Sequence, residues 1–421
     1  MSATLAIHGG RPACPQPPPP MYPGGNSIDA EEEAAVLETL RAKRLFRYYG
    51  PNPGESKVSQ LERDFAARAG VPYALGVTSG TAALICGLQG IGVGPGDEVI
   101  VPAYTWIASA SAVLAVGAVP VVAEVDASLT LDPADVEKRI SPRTKAIMPV
   151  HMRGAPADME TLLALAQRYR LRVIEDAAQA NGGAYHGRAL GAWGDVGCFS
   201  LQYNKIITSG EGGMVITHDE TIWKRAVMYH DVIGGRRNHF APEEMLWGVN
   251  FRMPELLAAV AQVQLRKRDL LLARMRQQKQ MLRGGMAEIA ARRGLTFRTL
   301  HDAAGDTAIA LIFYVESAEV AGRVAAALQA ENIDAARLYE PDVTDYHVYV
   351  HWTPITHRRT WHPAASPWRN AHSDVDYSPA ACPRTLDLLA RAIHLDVNPL
   401  LSNQELELIL EGLEKVLTAM T

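Results

Sequence analysis

Short apolar runs alternate with amphipathic segments through the first half of the chain. The apolar runs include YALGVT, EVIVPA, VPVVAEV, TKAIMPVH and LRVIEDAA, and helical segments such as TAALICGLQGIG and DMETLLALAQRYR lie between them. Strands that are apolar on both faces and separated by helices predict a mainly parallel sheet with helices on both sides, an α/β fold. Ligands of such sheets bind at the carboxyl ends of the strands, so polar residues there are the first site candidates.

The second half has a different pattern. From Pro254, the segment PELLAAVAQVQLRKRDLLLARMRQQKQML predicts one long helix that ends at Gly284-Gly285. A strand in TAIALIFYV and helices in AEVAGRVAAALQAEN and NQELELILEGLEKVLTAM follow it and predict a smaller α+β domain. We therefore expect an N-terminal arm over 1–28, a large domain over 29–265, and a connector helix with a small C-terminal domain over 266–421.

The arm is rich in proline and glycine from Pro12 to Gly25 and lacks hydrophobic periodicity. This composition predicts an extended segment with too little apolar periodicity to fold on its own subunit, so we expect it to lie over another surface and to cross to a partner subunit. Two helices should follow it, at Ala30–Ala42 and at about Ser56–Ala69.

Charge and cysteine usage narrow the class of protein. The 41 Lys and Arg residues against 46 Asp and Glu residues give a net charge of −5, which disfavours a nucleic-acid or membrane partner. The four scattered cysteines offer no metal-binding pair and favour free thiols in the cytoplasm. We see no export signal, and Pro102 and Pro120 interrupt the long uncharged stretch Val99–Ala123, which we interpret as strand, helix and strand.

A first candidate site lies in GVTSGTAALICGL, where a strand runs through Ser79-Gly80-Thr81 directly into a helix. Such a turn presents backbone N–H groups, a helix dipole and two hydroxyl groups at one point, which suits a phosphate. An ordinary helix cap would have the same local pattern.

Two further motifs carry chemistry. RVIEDAAQANGG ends an apolar strand with Glu175-Asp176 followed by Gln179, a pattern that fits either a helix cap or a site. GDVGCFSLQYNKIITSGEGG places Lys205 between apolar neighbours, five residues after Ser200. A lysine is ordinarily a surface residue, but apolar flanks would lower the pKa of its amine by desolvation. Together, a phosphate cradle, a carboxylate and one partly buried lysine are what pyridoxal phosphate (PLP) requires.

The order of motifs SGTAAL, PAYTWIASA, PVHMRG, EDAAQANGG, SLQYNK, SGEGGM and GVNFRMPELLAA resembles, motif for motif, the sugar and cyclitol aminotransferases of the DegT/StrS type. The resemblance covers roughly Ala6 to Val416. It implies the aspartate-aminotransferase fold, PLP-dependent transferase fold type I, and a homodimer with shared active sites.

The resemblance also implies roles for individual residues. Lys205 would form the Schiff base and Asp176 would face the pyridine nitrogen. The other implied cofactor contacts are Ser79, Gly80, Thr81 and Ser200 at the phosphate, Gln179 at the ring oxygen, Trp106 stacked on the ring, and Asn250 reaching the phosphate of the opposite subunit. Trp106 within YTWIASAS is more similar to the keto-inositol branch than to the sugar-nucleotide branches, whereas Asn181 stands where many relatives have His.

The implied reaction moves an amino group from glutamine or glutamate to a ketone in two half-reactions, through pyridoxamine phosphate. Lys205 would act as the base that moves the Cα proton. The donor carboxylate needs a cation, and Arg252 and Arg237 are candidates that could equally be surface residues. Tyr346, His347 and the His- and Trp-rich segment up to His372 would suit a polyhydroxylated ring, whereas a metal site there lacks the usual ligand spacing.

Two other functions fit the same fold. Sugar dehydratases of this type have a histidine in place of the lysine, and a non-catalytic regulator would have lost Lys205 or Asp176. Both residues are present, so the sequence favours transamination.

Overall fold

A computed structural model describes residues 4–51, 54–370 and 375–420. The strands are β1 Tyr73–Val77, β2 Glu98–Pro102, β3 Val119–Ala123, β4 Thr144–Ile147, β5 Arg172–Asp176, β6 Ala184–Tyr185, β7 Arg188–Ala189, β8 Val196–Ser200, β9 Gly213–Thr217, β10 Thr296–Phe297, β11 Ala310–Tyr314, β12 Ala335–Arg337 and β13 Ala392–Asp396.

The helices are α1 Pro23–Asn26, α2 Ala30–Arg41, α3 Lys57–Ala69, α4 Gly80–Gly90, α5 Ala108–Ala115, α6 Pro133–Arg139, α7 Met159–Tyr169, α8 Glu220–His230, α9 Gly234–Arg237, α10 Glu255–Gly285, α11 Ala287–Arg293, α12 Ala318–Ala330, α13 Thr353–Thr356, α14 Pro383–Arg391 and α15 Asn403–Met420. Short 3-10 turns complete the described secondary structure. None of the helices in the described ranges is both long and apolar enough to cross a membrane.

The large sheet has the strand order β1-β9-β8-β5-β4-β2-β3. Neighbours from β8 to β3 pair in parallel, and β9 runs antiparallel to both β8 and β1. The predicted mainly parallel sheet is confirmed, with Val99–Ala123 forming β2, α5 and β3. Strand β9 is reversed because the short loop after β8 contains no crossover helix, which a parallel connection needs.

Local sequence signals explain where several helices begin. Asp29 and Glu32 form a capping box at α2, and Ser56 caps α3 by accepting from the Ser59 N–H. Helix α10 spans the segment for which the sequence predicts one long helix. Its first residue, buried Glu255, accepts hydrogen bonds from the Ser56 hydroxyl and the Lys57 N–H, which fixes the start of the helix.

The small domain contains the antiparallel sheet β10-β11-β13-β12. Strand β11 is buried on both faces: Leu311 and Phe313 pack with apolar residues of α12 and α15, while Ile312 and Tyr314 share a cluster with Tyr104 of the large domain. Alternating side chains therefore attach the small sheet to its own helices on one face and to the large domain on the other.

The N-terminal arm lies on its own chain. The Ala6 and Ala13 N–H groups each donate to the Glu331 carboxylate at 2.8 Å, and Asn398 Nδ2 donates to the Pro19 carbonyl at 2.7 Å. The expectation that this segment has no place on its own subunit is therefore wrong. Backbone hydrogen bonds hold it, and hydrophobic periodicity cannot reveal those.

Candidate active site

One cavity of about 470 Å³ collects most of the residues that the motifs single out; we call it the Lys205 cavity. It lies at the carboxyl ends of β5 and β8 and at the start of α4. Its lining includes Ser79, Gly80, Thr81, Trp106, Asp176, Gln179, Ser200, Lys205 and His347. The residues that the strand-end rule selects in the sequence therefore meet in one cavity.

The first wall of the Lys205 cavity is the start of α4. Ser79 has an extended backbone and its hydroxyl accepts from the Ala82 N–H at 3.0 Å, as an N-cap does. Gly80 lies so close to β8 that a Cβ atom there would stand 2.8 Å from Ser200 Cβ. Glycine is needed for this approach, which places the Thr81 and Ser200 hydroxyls beside the exposed N–H groups of a helix start. This arrangement suits a phosphate.

Asp176 ends β5 at the base of the cavity. Its carboxylate accepts from the Ser109 hydroxyl at 2.7 Å and from the Ala178 N–H at 3.1 Å, and the Ser109 hydroxyl lies 2.7 Å from the Thr105 hydroxyl. The side chain is almost fully buried, and this burial raises the pKa of Asp176 although both hydrogen bonds oppose the shift. A cationic group in the cavity would relieve the cost of ionising this acid.

Lys205 lies in the turn after β8, beside the buried side chains of Ile206 and Ile207. Burial lowers the pKa of the Lys205 amine, the Asp176 charge raises it, and the Arg153 charge lowers it; the net shift is downward. A lysine whose pKa is lowered holds its amine neutral at a lower pH and is therefore a better nucleophile.

The opposite wall comes from a segment far along the chain. The Thr105 N–H donates to the His347 carbonyl, and the Ile107 N–H donates to the Tyr346 carbonyl, both at 2.9 Å. This pairing brings Trp106 and His347 to the cavity with ring centroids 5.0 Å apart. His347 Nδ1 bonds Asp345 at 2.7 Å, and burial lowers the pKa of the imidazole. Tyr346 meets Trp106 edge to face but does not line the cavity.

The other described histidines of the His-rich segment make separate local contacts. His351 bonds Asp345, while His357 and His362 take part in local turns and His372 lies outside the described residues. In the part of the chain that the structure describes, no three His, Cys, Asp or Glu side chains are placed to hold a metal ion.

Three predicted site residues stand apart from the Lys205 cavity. Arg252 and Arg237 both pair with the buried Asp231, at 2.9 and 3.4 Å. Asn250 is exposed and forms a β-bridge with the same aspartate. Neither arginine lines the Lys205 cavity of this chain, and both lie against the single carboxylate of Asp231.

Several residues around the site were not predicted from the sequence. Ser109 and Thr105 orient Asp176, and Arg153 holds Gln179 in place because its backbone N–H donates to Gln179 Oε1 at 2.9 Å. Arg153 follows β4 in PVHMRG, so the rule that placed Asp176 could also have found it.

Glu175 has a structural role. This buried carboxylate accepts from the N–H groups of Gly191, Trp193 and Gly194 and from His151 Nε2. It therefore anchors the loop behind β5 and leaves Asp176 as the acid that faces the cavity.

Comparison with known proteins identifies the family. A model of the DegT/DnrJ/EryC1/StrS aminotransferase family matches residues 26–367. The L-glutamine:2-deoxy-scyllo-inosose aminotransferase of Micromonospora echinospora is 35% identical, with the match covering 98% of this chain and 97% of that protein. An enzyme of the same name from Streptoalloteichus tenebrarius is 41% identical over 68% of this chain and 69% of its own length.

Solved structures agree with this relationship. The crystal structure of 3-amino-5-hydroxybenzoic acid synthase has a TM-score of 0.78 at 30% identity and covers 96% of this chain and 100% of its own. The X-ray structure of an aminotransferase from Psychrobacter cryohalolentis has a TM-score of 0.80 at 27% identity, covering 95% of this chain and 100% of its own. The chain therefore belongs to the DegT/DnrJ/EryC1/StrS aminotransferase family and has the fold of its PLP-dependent aminotransferases.

Proposed function

We propose that this protein transfers an amino group from glutamine or glutamate to a keto-cyclitol or keto-sugar, with PLP bound at Lys205 as its cofactor. The observation that carries the proposal is the convergence of Lys205, Asp176 and the α4 cradle on one cavity. Each of these features has a structural explanation on its own. Their meeting in one cavity matches the needs of a single cofactor.

The residues of the Lys205 cavity fit this group. The close approach of Gly80 to Ser200 leaves N–H and hydroxyl donors where a phosphate would be held. Asp176 is a buried acid without a cationic hydrogen-bond partner among the described residues, and a protonated ring nitrogen would supply one. When bound, PLP supplies an electron sink that makes the Cα proton of an attached amino acid acidic.

The protein's own residues then perform the remaining tasks. Lys205 attaches the cofactor and afterwards moves the substrate's Cα proton, for which a lowered pKa of its amine is suited. Ser109 and the Ala178 N–H fix the Asp176 carboxylate so that it keeps one orientation. Trp106, at the opposite wall, is placed to cover the ring and limit access of water.

The acceptor class rests on the relatives and on the wall chemistry. The relatives of highest coverage act, by their names, on an inosose, which is a polyhydroxylated ketone. Another relative, from Streptomyces venezuelae, is a transaminase named for a dTDP-linked amino sugar. Trp106 and His347 line the Lys205 cavity and offer an aromatic face and an imidazole to such a ring. A keto-cyclitol is therefore the first acceptor to test, and the pathway would be one that makes aminocyclitols in the cytoplasm.

We also propose that the active form is a homodimer whose subunits share sites. Asn250 is exposed and lies outside its own subunit's Lys205 cavity, so it is free to reach a partner. Exposed apolar side chains flank it, among them Val232, Ile233, Leu246 and Trp247, of which Trp247 is 78% exposed. Apolar surface of this kind is typical of an interface between subunits.

The proposal is tested by Lys205→Ala. The purified wild type should absorb in the visible range through its lysine-bound cofactor and should aminate a keto-cyclitol. The variant should lose that absorbance and lower kcat by several orders of magnitude, because both the attachment point and the base are gone. Lys145→Ala, at an exposed lysine of β4, is the matched control and should behave as wild type. A reducible cofactor link that persists in Lys205→Ala would contradict the assignment.

A further inference from the structure

A second cavity, of about 380 Å³, lies on the other side of Lys205. Four residues line both cavities: Gln179, Asn204, Lys205 and His347. The remaining lining of the second cavity comes from Arg153, Ile206 and Ile309, from Asp334, His394 and Asp396 of the small domain, and from Pro20–Pro23 of the arm. The amine of Lys205 therefore stands between the proposed cofactor space and a chamber between the domains.

Arg153 lines the second cavity with a constrained backbone. Its backbone is left-handed, with φ 52° and ψ 35°, and its N–H donates to Gln179. Such a backbone is strained for an arginine and persists only where the surroundings enforce it. In the described chain, the one hydrogen bond of its side chain runs from Nε to the hydroxyl of buried Tyr104, at 3.3 Å. The two Nη groups are left for a ligand.

The charges in the second cavity define what it can bind. Arg153 and Lys205 are its cations, and Asp334 and Asp396 are its acids. His394 adds no positive charge, because burial lowers the pKa of its imidazole well below the usual value. A planar guanidinium with two N–H groups to offer is the side chain best suited to a carboxylate. A second carboxylate on the same ligand would meet two acids and no third cation.

We propose that Arg153 binds the carboxylate of the amino donor and that Asp334 and Asp396 disfavour donors with a second carboxylate, so that glutamine is preferred over glutamate. This inference rests on the proposed function and deepens it. It also assigns to Arg153 the task for which Arg252 and Arg237 are candidates in the sequence, since neither of them lines the cavities of this chain.

The experiment compares Arg153→Asn with Arg170→Asn in the cofactor-loaded protein. Arg170 is an exposed arginine with a matching backbone of φ 56° and ψ 40°, and asparagine tolerates that conformation, so the control removes the same charge at the same kind of position. Binding of 2-methyl-L-glutamine, which has no Cα hydrogen and therefore cannot be transaminated, is measured by calorimetry. The reverse direction is followed separately, by adding a keto-cyclitol to the pyridoxamine-loaded protein.

Arg153→Asn should weaken binding of 2-methyl-L-glutamine by about 10- to 100-fold, as expected for a lost charge-assisted hydrogen-bond pair. Arg153→Lys should recover part of the loss, and Arg170→Asn should bind as wild type does. The half-reaction with the ketone should change much less than donor binding, because that substrate has no carboxylate. Asp396→Asn should raise the affinity for glutamate relative to glutamine.

The outcomes separate the two claims. A wild type that loads PLP and aminates ketones, together with an Arg153→Asn protein that binds the methylated donor normally, overturns the Arg153 assignment alone. An unchanged glutamate-to-glutamine ratio in Asp396→Asn overturns the role of the acids. A loaded wild type that transfers no amino group overturns the proposed function, and the donor site with it.

Discussion

Burial controls the charge of the acids on both sides of Lys205. Asp176 is enclosed at the base of one cavity, where the Ser109 hydroxyl and the Ala178 N–H stabilise its ionised form against desolvation. Asp396 faces the other cavity, and burial raises its pKa to about 6 although the charge of Arg153 opposes the shift. Burial therefore raises the pKa of both acids, and a single substitution can test this for Asp396.

Asp396→Asn should change how stability depends on pH. An aspartate in the unfolded chain has a pKa of about 4, so between about pH 4 and pH 6 the folded wild type binds more protons than the unfolded chain. Its free energy of unfolding therefore falls, through this group, as the pH rises across that window, by at most about 3 kcal/mol. Asparagine does not titrate, so the variant should gain stability relative to wild type from pH 4 to pH 7.

Urea denaturation at several pH values measures this difference. Asp64→Asn, at an exposed acid of α3, is the control, and its difference from wild type should stay nearly constant. A difference for Asp396→Asn that does not change with pH would contradict the raised pKa.

At the scale of elements, the arm is held at both ends by the chain it begins. Glu331, just after α12, has a fully buried side chain and accepts from two arm N–H groups and from Lys415 Nζ. The other end is fixed where the Gly24 N–H donates to the Lys205 carbonyl at 3.1 Å. Between these points the arm forms part of the wall of the second cavity. A change at Glu331 should therefore loosen the arm as far as the wall of the second cavity.

Glu331→Gln should loosen the arm. The amide keeps the shape of the side chain but loses the charge that pairs with Lys415, and one of its two terminal groups can no longer accept a hydrogen bond. We expect the Ala6 and Ala13 amide hydrogens to exchange with deuterium about tenfold faster than in wild type, because local opening of the arm becomes more frequent. Glu319→Gln, at an exposed acid of α12, should leave this rate unchanged. Equal rates in the two variants would show that Glu331 does not hold the arm.

At the scale of the whole molecule, the proposed shared sites predict complementation between inactive variants. Lys205→Ala lacks the amine in its own site, and Asn250→Asp would place a negative charge beside the phosphate in its partner's site. In a mixed dimer, one site would carry both lesions and the other would carry neither. Equal mixing should then restore about one quarter of wild-type activity, since half of the dimers would be mixed and each would have one intact site.

Light scattering and activity after co-refolding test this. Affinity capture of a tag carried only by Lys205→Ala, followed by detection of the co-purified Asn250→Asp subunit, measures how freely the subunits exchange. An active monomer at assay concentration, or no recovery despite proven exchange, would exclude shared sites.

Features that depend on local order could be predicted from the sequence alone. Alternating apolar strands and helices predicted the sheet, a helix-starting proline and a long periodic run predicted α10, and the turn at Ser79–Thr81 predicted the cradle. Asp176, Lys205 and Ser200 could also be selected, because each follows a buried strand and parallel strands end at the same edge.

Contacts between distant groups appear only in the tertiary structure. Arg252 and Arg237 pair with Asp231, the arm donates hydrogen bonds to Glu331, and Asp396 of β13 lines the second cavity together with Arg153. These contacts join residues far apart in the chain through hydrogen bonds and charges, which leave no periodic trace in the sequence. The residues of the Lys205 cavity could therefore be selected from motifs, whereas the second cavity depends on how the small domain and the arm pack beside Lys205.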